Sequence, residues 1–329
     1  MELAPGLCRL VLPMPGHFLR AVNLYLLRDA DGYVLIDCGL PIAEAWDALT
    51  EQLGALGVPL DAIHTIVATH GHPDHCGLAA RLRAECGAAL WLHERDWAFV
   101  QQRFVGAADY SPIWLDWLQQ QGMPPDEAAE AARARGLAIR LSDLDTPDRL
   151  LEGGELLDVG PYRLRILWTP GHTPGHVCLY EATRHFLLSG DHILPNANPN
   201  VSLDPETGTN PLPGYLDSLR ALADMAVELA LPGHGEPFAD LAAQARAGLQ
   251  HQLDRRARIV ALLGPAPQTT YELASQVWAD SKPNNWAQFG GFLRRNALGT
   301  LAAHLDALVA DGTIARHDGP PFGFTLRHA

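Results

Sequence analysis

Three histidines and an aspartate crowd into six positions, His70, His72, Asp74 and His75, in the stretch VATHGHPDHCG at 67–77. Imidazoles at this density are costly: neutral rings need hydrogen-bond partners, and charged rings repel. A divalent metal removes both problems, because each ring nitrogen then has an electrophile to bind. Three later segments carry residues of the same type: TPGHTPGH (His172, His176), SGDH (Asp191, His192) and LPGHGEP (His234). A single catalytic zinc takes three protein ligands and a water. Seven of these residues fit two metals if one carboxylate bridges, at a spacing of about 3.5–4 Å with a shared nucleophilic water. The spacing supports the division. His70 and His72 stand two apart and can face one metal, while Asp74 and His75 lie past Pro73 and can reach a second.

Residues so far apart meet only if a scaffold aims them. Each of the four segments follows an apolar, β-rich run, so each reads as the loop at a strand end. IHTIVATH (63–70), AALWLH (88–93), YRLRILWTPGH (162–172), HVCLYEA (176–182), HFLLSGD (185–191) and VELALPGH (227–234) read as strands. AVNLYLLRDADGYVLIDCG reads as a hairpin turning at Asp29–Gly32. Helical period appears at 75–86 and 212–225. The whole is a mixed, layered α/β fold.

Two stretches break the pattern. Residues 97–148 show helical texture with Trp97, Phe99, Phe104, Tyr110, Trp114 and Trp117, and no strand signal. An insertion of this kind is either a lid over a site or a helical appendage packed on the body. Residues 192–212 form a long Pro/Asn/Gly loop. Beyond 240 the texture turns helical and ends in a Gly-Pro-Pro turn, the outline of a winged helix.

The 329 residues, 47% apolar and 19% charged, suit a globular chain with a buried core. The net charge of −14 argues against generic attraction to nucleic acid or anionic membrane. It is unevenly spread: residues 1–240 hold 15 Lys+Arg against 32 Asp+Glu (−17), and residues 241–329 hold 9 against 6 (+3). The shift sets an expected boundary near 240, with a catalytic domain over 1–240 and a winged-helix-like domain over 241–329. The five cysteines are scattered, without CxxC spacing, and suggest neither disulfides nor a cysteine metal site. Neither a signal peptide nor a bilayer-spanning run of about 18 apolar residues is legible, so the expected location is cytoplasmic.

With HGHPDH, TPGHTPGH, SGD and LPGHG in that order, the chain resembles the metallo-β-lactamase superfamily, and within it the glyoxalase II-like hydrolases, over roughly residues 7–240. The resemblance implies a four-layer αββα sandwich with a metal site at one edge of its two sheets. By matching position, His70, His72 and His172 would take one metal, Asp74, His75 and His234 the second, and Asp191 would bridge. Zinc is the expected ion for both sites; manganese or iron fits the same residues. A metal-bridging hydroxide would attack the substrate, and Asp74 would orient it and pass its proton to the leaving group. Asp37 matches a supporting position, with a plain strand-end turn as the other reading. His176 and His192 sit beside ligands, either supporting the site, facing substrate, or serving as ordinary structural histidines. Cys76 reads as a small core residue. His17, His64, His93, His185, His251, His304 and His317 lack motif context and read as surface or core histidines.

Such metals permit thioester, ester, lactone, β-lactam and phosphodiester hydrolysis. The expected substrate class is a small acyl thioester or related ester or lactone. The alternative is a phosphodiesterase or endoribonuclease on single-stranded RNA, since the domain plan also resembles β-lactamase-like proteins whose mitochondrial animal member is an endoribonuclease. Arg255, Arg256, Arg258, Arg294 and Arg295 would be its grip, but +3 over the tail is feeble when each phosphate contact needs its own cation. No membrane partner is expected; a homodimer is compatible with the resemblance.

Overall fold

A computed structural model describes residues 1–106, 111–134, 139–195, 197–280 and 285–327. Tyr110 of the aromatic stretch lies outside the described residues. The chain forms two compact units.

The first unit, Met1–Gly106 with Ile139–Pro199 and Ser218–Arg246, contains two sheets. One has strands β1 (Glu2–Ala4), β2 (Leu7–Pro13), β3 (Ala21–Arg28), β4 (Tyr33–Ile36), β5 (Ile63–Val67), β6 (Ala89–His93) and β7 (Arg149–Leu151), paired in chain order. The other has β8 (Leu156–Val159), β9 (Tyr162–Trp168), β10 (Val177–Glu181), β11 (Phe186–Gly190) and β12 (Leu229–Pro232). The pairings from β1 to β4 and from β8 to β11 are antiparallel. Where a helix intervenes the pairing turns parallel, from β4 to β7 and between β11 and β12. The helices of this unit include α1 (Ala43–Ala55), α2 (Pro73–Cys76), α3 (Ala79–Cys86) and α4 (Glu94–Val100), the last continuing into a wide π turn over Gln101–Val105.

Strand sequence reports which face is covered. In β3, AVNLYLLR, six consecutive residues are buried, so both faces are packed. In β9, YRLRILW, burial alternates: Tyr162, Leu164 and Ile166 face the core while Arg163 and Arg165 face out. Leu7, Tyr25, Leu27, Val34 and Ile36 of one sheet meet Leu157, Leu164, Ile166, Val177, Leu179 and Leu231 of the other in one apolar cluster. The two sheets therefore pack face to face and share a dry core.

The second unit is drawn from three stretches, Ala107–Ala138, Asn200–Asp217 and Ala247–Ala329. Its elements include α5 (Ser111–Gln120), α6 (Pro125–Arg133), most of α8 (Leu241–Leu262), α9 (Thr270–Val277), α10 (Gly291–Ala310) and the hairpin β13 (Ile314–His317) and β14 (Gly323–Leu326); α7 (Leu212–Ala223) starts within it. Thr269 caps α9 in a reciprocal capping box with Glu272. Trp114, Leu118 and Met123 share a core with Ile259, Leu273, Leu298, Leu301, Leu305, Ile314 and Phe324. Gln121 accepts from Thr270 Oγ1 at 2.7 Å, and Glu127 accepts from Tyr271 Oη at 2.8 Å and pairs with Arg294.

A single cut near 240 thus does not divide these units. The 97–148 stretch is not one element either: α4 and the π turn belong to the first unit, while α5 and α6 build the second unit's core. Helix ends at Arg133, and described residues 139–148 are irregular. Trp114 and Trp117 pack inside their own unit, which is where bulky aromatic surface is best removed from water.

No helix among the described residues is long and apolar enough to cross a membrane. The shared sheet core predicts a specific weakness. Leu164, fully buried between the sheets, should cost about 2–5 kcal/mol of unfolding free energy when cut to alanine, read by urea denaturation followed by circular dichroism.

Candidate metal centre

Every candidate ligand leaves a strand at its C-terminal end. β5 delivers the 68–75 loop and the one-turn helix α2, β9 the 169–176 loop, β11 Asp191 and β12 His234. Parallel pairing of β11 with β12 sets Gly190 opposite Pro232, which brings Asp191 and His234 to the same edge. Gly233 must be glycine here: a Cβ would stand 2.4 Å from Asp191 Oδ1 and 2.7 Å from His75 Cε1.

Three overlapping donor groups converge: His70, His72 and His172; His70, His75 and Asp191; and Asp74, His75 and His234. His72 Nδ1 lies 3.0 Å from both His70 Nε2 and His172 Nε2. His234 Nε2 lies 3.3 Å from Asp74 Oδ2 and 3.3 Å from Asp191 Oδ2. His75 Nε2 lies 3.5 Å from Asp191 Oδ1 and 3.7 Å from Asp74 Oδ2, and His172 Nε2 is 3.7 Å from Asp191 Oδ2. Zinc–ligand bonds of about 2.0–2.1 Å in a tetrahedron put neighbouring donors about 3.3 Å apart, so these gaps have the size a metal requires. Buried His75 Nε2, Asp191 Oδ1 and His234 Nε2 have no hydrogen-bond partner among the described residues. Leaving such atoms unpaired is unfavourable, and a cation satisfies all three.

The far side of three of the rings is tied down. His75 Nδ1 sits 2.7 Å from Asp37 Oδ2, His234 Nδ1 2.6 Å from the Ala21 carbonyl, and His70 Nδ1 3.1 Å from Thr69 Oγ1. With a proton on Nδ1, each Nε2 is left aimed at the centre. Asp37 also accepts from the Thr69 N–H at 2.7 Å and from Thr69 Oγ1 at 3.0 Å. It holds this pose at φ +62°, a left-handed conformation that non-glycine residues adopt only when their surroundings enforce it. His176 has both nitrogens engaged, Nδ1 with Thr169 Oγ1 at 2.9 Å and Nε2 accepting from the Asp191 N–H at 3.1 Å. It therefore orients Asp191. His192 is buried with its ring 5.5 Å from that of His176.

Charge divides the rings. Burial holds His70 well below its ordinary range, helped by neighbouring histidines. Burial, His172 and Arg103 hold His72 down to about 3 against the pull of Asp74 and Asp191. His176 and His192 are likewise lowered, by burial first. For His75 and His234 burial works the same way but is outweighed, for His75 by Asp37, Asp191 and Asp74, and for His234 by Asp191 and Asp74; His234 rises to about 10. Asp74 and Asp191 are lowered: burial opposes their charge, and His75 and His234 outweigh it.

Two residues near the centre carry no legible sequence signal. Asp96, fully buried at the start of α4, accepts from the Gly71 N–H (2.7 Å), Thr173 Oγ1 (2.7 Å) and the Gly175 N–H (2.5 Å). It fastens the His70–His75 loop to the His172 loop, and burial pushes its carboxyl up to about 6 against those three donors. His17, read as a histidine without context, lies in the β2–β3 turn within electrostatic range of Asp74, His234 and Asp191. Only proximity in the fold marks either.

Two measurements test this centre. Asp37→Ala frees the rear of His75 and Thr69, and should weaken metal binding about 10- to 100-fold in a calorimetric titration. His75 and His234 hold protons that a metal must displace, since both are raised above neutrality. Metal affinity should therefore rise with pH between 6 and 8, by up to about 100-fold per unit when both protons leave; a flat profile contradicts the charge division.

The family model of the metallo-beta-lactamase superfamily matches residues 17–234. The Probable metallo-hydrolase YqjP of Bacillus subtilis is 28% identical over 300 residues, covering 90% of both chains. The Acyl-coenzyme A thioesterase MBLAC2 of Bos taurus is 25% identical over 228 residues, 66% of this chain and 74% of its own. The crystal structure of a metallo-beta-lactamase family protein from Thermus thermophilus is 34% identical, superposes with a TM-score of 0.81, and covers 99% of this chain and all of its own. Sheets, strand-end ligand loops and sequence agree: the chain is a metal-dependent hydrolase of the metallo-beta-lactamase superfamily.

Proposed function

We propose that the protein is a dinuclear, glyoxalase II-like hydrolase of small acyl thioesters or related esters and lactones. The observation that carries this is the set of seven converging donors, five of them buried, three of whose atoms lack a hydrogen-bond partner among the described residues. His70, His72 and His172 would hold one ion, Asp74, His75 and His234 the other, with Asp191 between them and zinc as the ion. Divalent metals bound there supply an activated water and polarise a carbonyl oxygen. Asp74, an ionised carboxylate among these donors, would accept a hydrogen bond from the attacking water, orient it and relay its proton to the leaving group. A thiolate, whose acid has a pKa of about 8.5, leaves with little help; an alkoxide needs that proton. Asp37 and His176 act from behind, orienting His75 and Asp191.

The thioesterase named among the relatives supports the acyl reading. So does the state of the tail's arginines. Arg256 pairs with Asp311, Arg294 with Glu127, and Arg258 donates to the Gln276 carbonyl. Arg255 donates to Gln252, and Arg295 stacks on Trp114 at 4.1 Å. Cations committed this way make a poor grip for a polyanion. The order α8, α9, α10, then the β13–β14 hairpin, with Gln268 bridging to Phe324, supports a winged-helix-like module used as structure. The two face-to-face sheets, with α1 and α3 against the first of them, supply three layers of an αββα arrangement over the catalytic part.

Metal-loaded protein should hydrolyse acyl-CoA or acyl-glutathione thioesters, or a homoserine lactone, with kcat/KM above about 10⁴ M⁻¹s⁻¹, and lose this on chelation. Cleavage of a phosphodiester alone, with every carbon ester untouched, overturns the acyl reading.

A further inference from the structure

We propose that Asn23 is a positioning residue for the candidate ligand His234, an inference that rests on the dinuclear reading and adds to it a residue that no motif marks. In β3, AVNLYLLR, Asn23 is a polar residue in an apolar run and is 3% exposed. A group so buried must find partners inside the protein. Alternation along the strand puts Ala21, Asn23, Tyr25 and Leu27 on one face. Tyr25 and Leu27 enter the core between the sheets. Asn23 and Ala21 continue that face to the turn Pro232–Gly235, which carries His234. The Asn23 amide nitrogen donates to the Pro232 carbonyl at 2.9 Å and to the Gly235 carbonyl at 2.7 Å. The Asn23 backbone N–H donates to the Gly233 carbonyl at 2.7 Å. Tyr25 Oη adds a second donor to Pro232 at 2.8 Å, and the Ala21 carbonyl holds His234 Nδ1.

The chemistry of that turn calls for an amide. Among the described residues no backbone hydrogen bond runs from Gly235 back to Pro232, so the turn is closed on Asn23 rather than on itself. Its two carbonyls bracket His234, and one nitrogen with two hydrogens spans them. Of side chains this short, only an amide offers two protons from one atom; a serine hydroxyl gives one and an aspartate none. Asp37 and Asp96 fasten their loops by accepting N–H groups. Here carbonyls face the fastener, so it must donate. β12 is an edge strand with only β11 beside it, and its ligand turn is therefore held by the opposite sheet. Arg9 reaches the same segment, with its terminal nitrogens 2.7 and 3.1 Å from the Glu236 carboxylate. The Glu236 side chain is 78% exposed, so water competes for it and that pair holds the turn weakly. The buried amide is the stronger constraint on the angle at which His234 enters the centre.

The test titrates metal-free, full-length protein with zinc by calorimetry. Wild type, Asn23→Ala, His234→Ala and the double variant are compared, each checked for folding by circular dichroism. Wild type should bind two ions. Asn23→Ala should weaken, about 10- to 100-fold, only the ion that His234→Ala also weakens, and leave the other unchanged. In the His234→Ala background the same substitution should change zinc affinity no further, because it acts through a ring that is no longer there. A role confined to holding the sheets together would instead add its effect in both backgrounds. If Asn23→Ala does not fold, Asn23→Ser, which keeps one donor proton, takes its place and the same outcomes decide. Full additivity, equal weakening of both ions, or no change overturns the role of Asn23 and leaves the dinuclear reading standing. Fewer than two ions bound by wild type overturns the dinuclear reading and this inference with it.

Discussion

The carboxylate of Asp37 is the contact on which the centre depends. Two oxygens bind the Thr69 N–H, the Thr69 hydroxyl and His75 Nδ1, all out of water. Thr69 in turn contacts His70. One side chain from the end of β4 thereby fixes two ligand rings at the end of β5, and the left-handed φ of Asp37 is the local strain this arrangement requires. Without that anchor the crowded imidazoles and carboxylates would rotate to satisfy one another. With it, their open atoms point into a common gap.

Asp96 repeats the device from the opposite side. Its two oxygens take three donors from two ligand loops, and no neutral isostere can do the same. An asparagine would turn its amide N–H toward a backbone N–H. The result is a set of loops held by buried, charge-assisted hydrogen bonds rather than by side-chain packing alone. Such bonds lose most when one partner is removed, because the remaining donors stay buried.

The candidate ligands were legible because metal chemistry restricts residue type and spacing: HGHPDH, TPGH, SGD and LPGHG each name a strand end. These strands were legible too, since β5, β6 and β9 to β12 carry β-branched, alternating or continuous apolar residues. The short edge strands β7, RLL, of one sheet and β8, LLDV, of the other gave no such signal, as three or four residues carry no period. β2, LCRLVLP, is masked by its mixed pattern. Asp96 looks like any acidic residue in a helix's first turn until the fold sets it against Gly71 and Gly175. The second unit was legible as helices but not as an assembly, because helical period says nothing about which distant helices share a core. That Trp114 belongs with Leu273 and Leu305 is a property of the tertiary structure alone.

The strand order has a consequence for synthesis. The first ligand, His70, leaves β5, and the last, His234, follows β12, the edge strand that pairs with β11. A growing chain ending before residue 234 holds an incomplete donor set, with Asp191 present but no His234 opposite it. Metal capture by the full set therefore waits until the second sheet is closed, and cannot organise the sheets that create it. A shared apolar core, not an ion, must bring the two sheets together. Metal bound there would act as a late latch on a scaffold whose shape was decided by that apolar core.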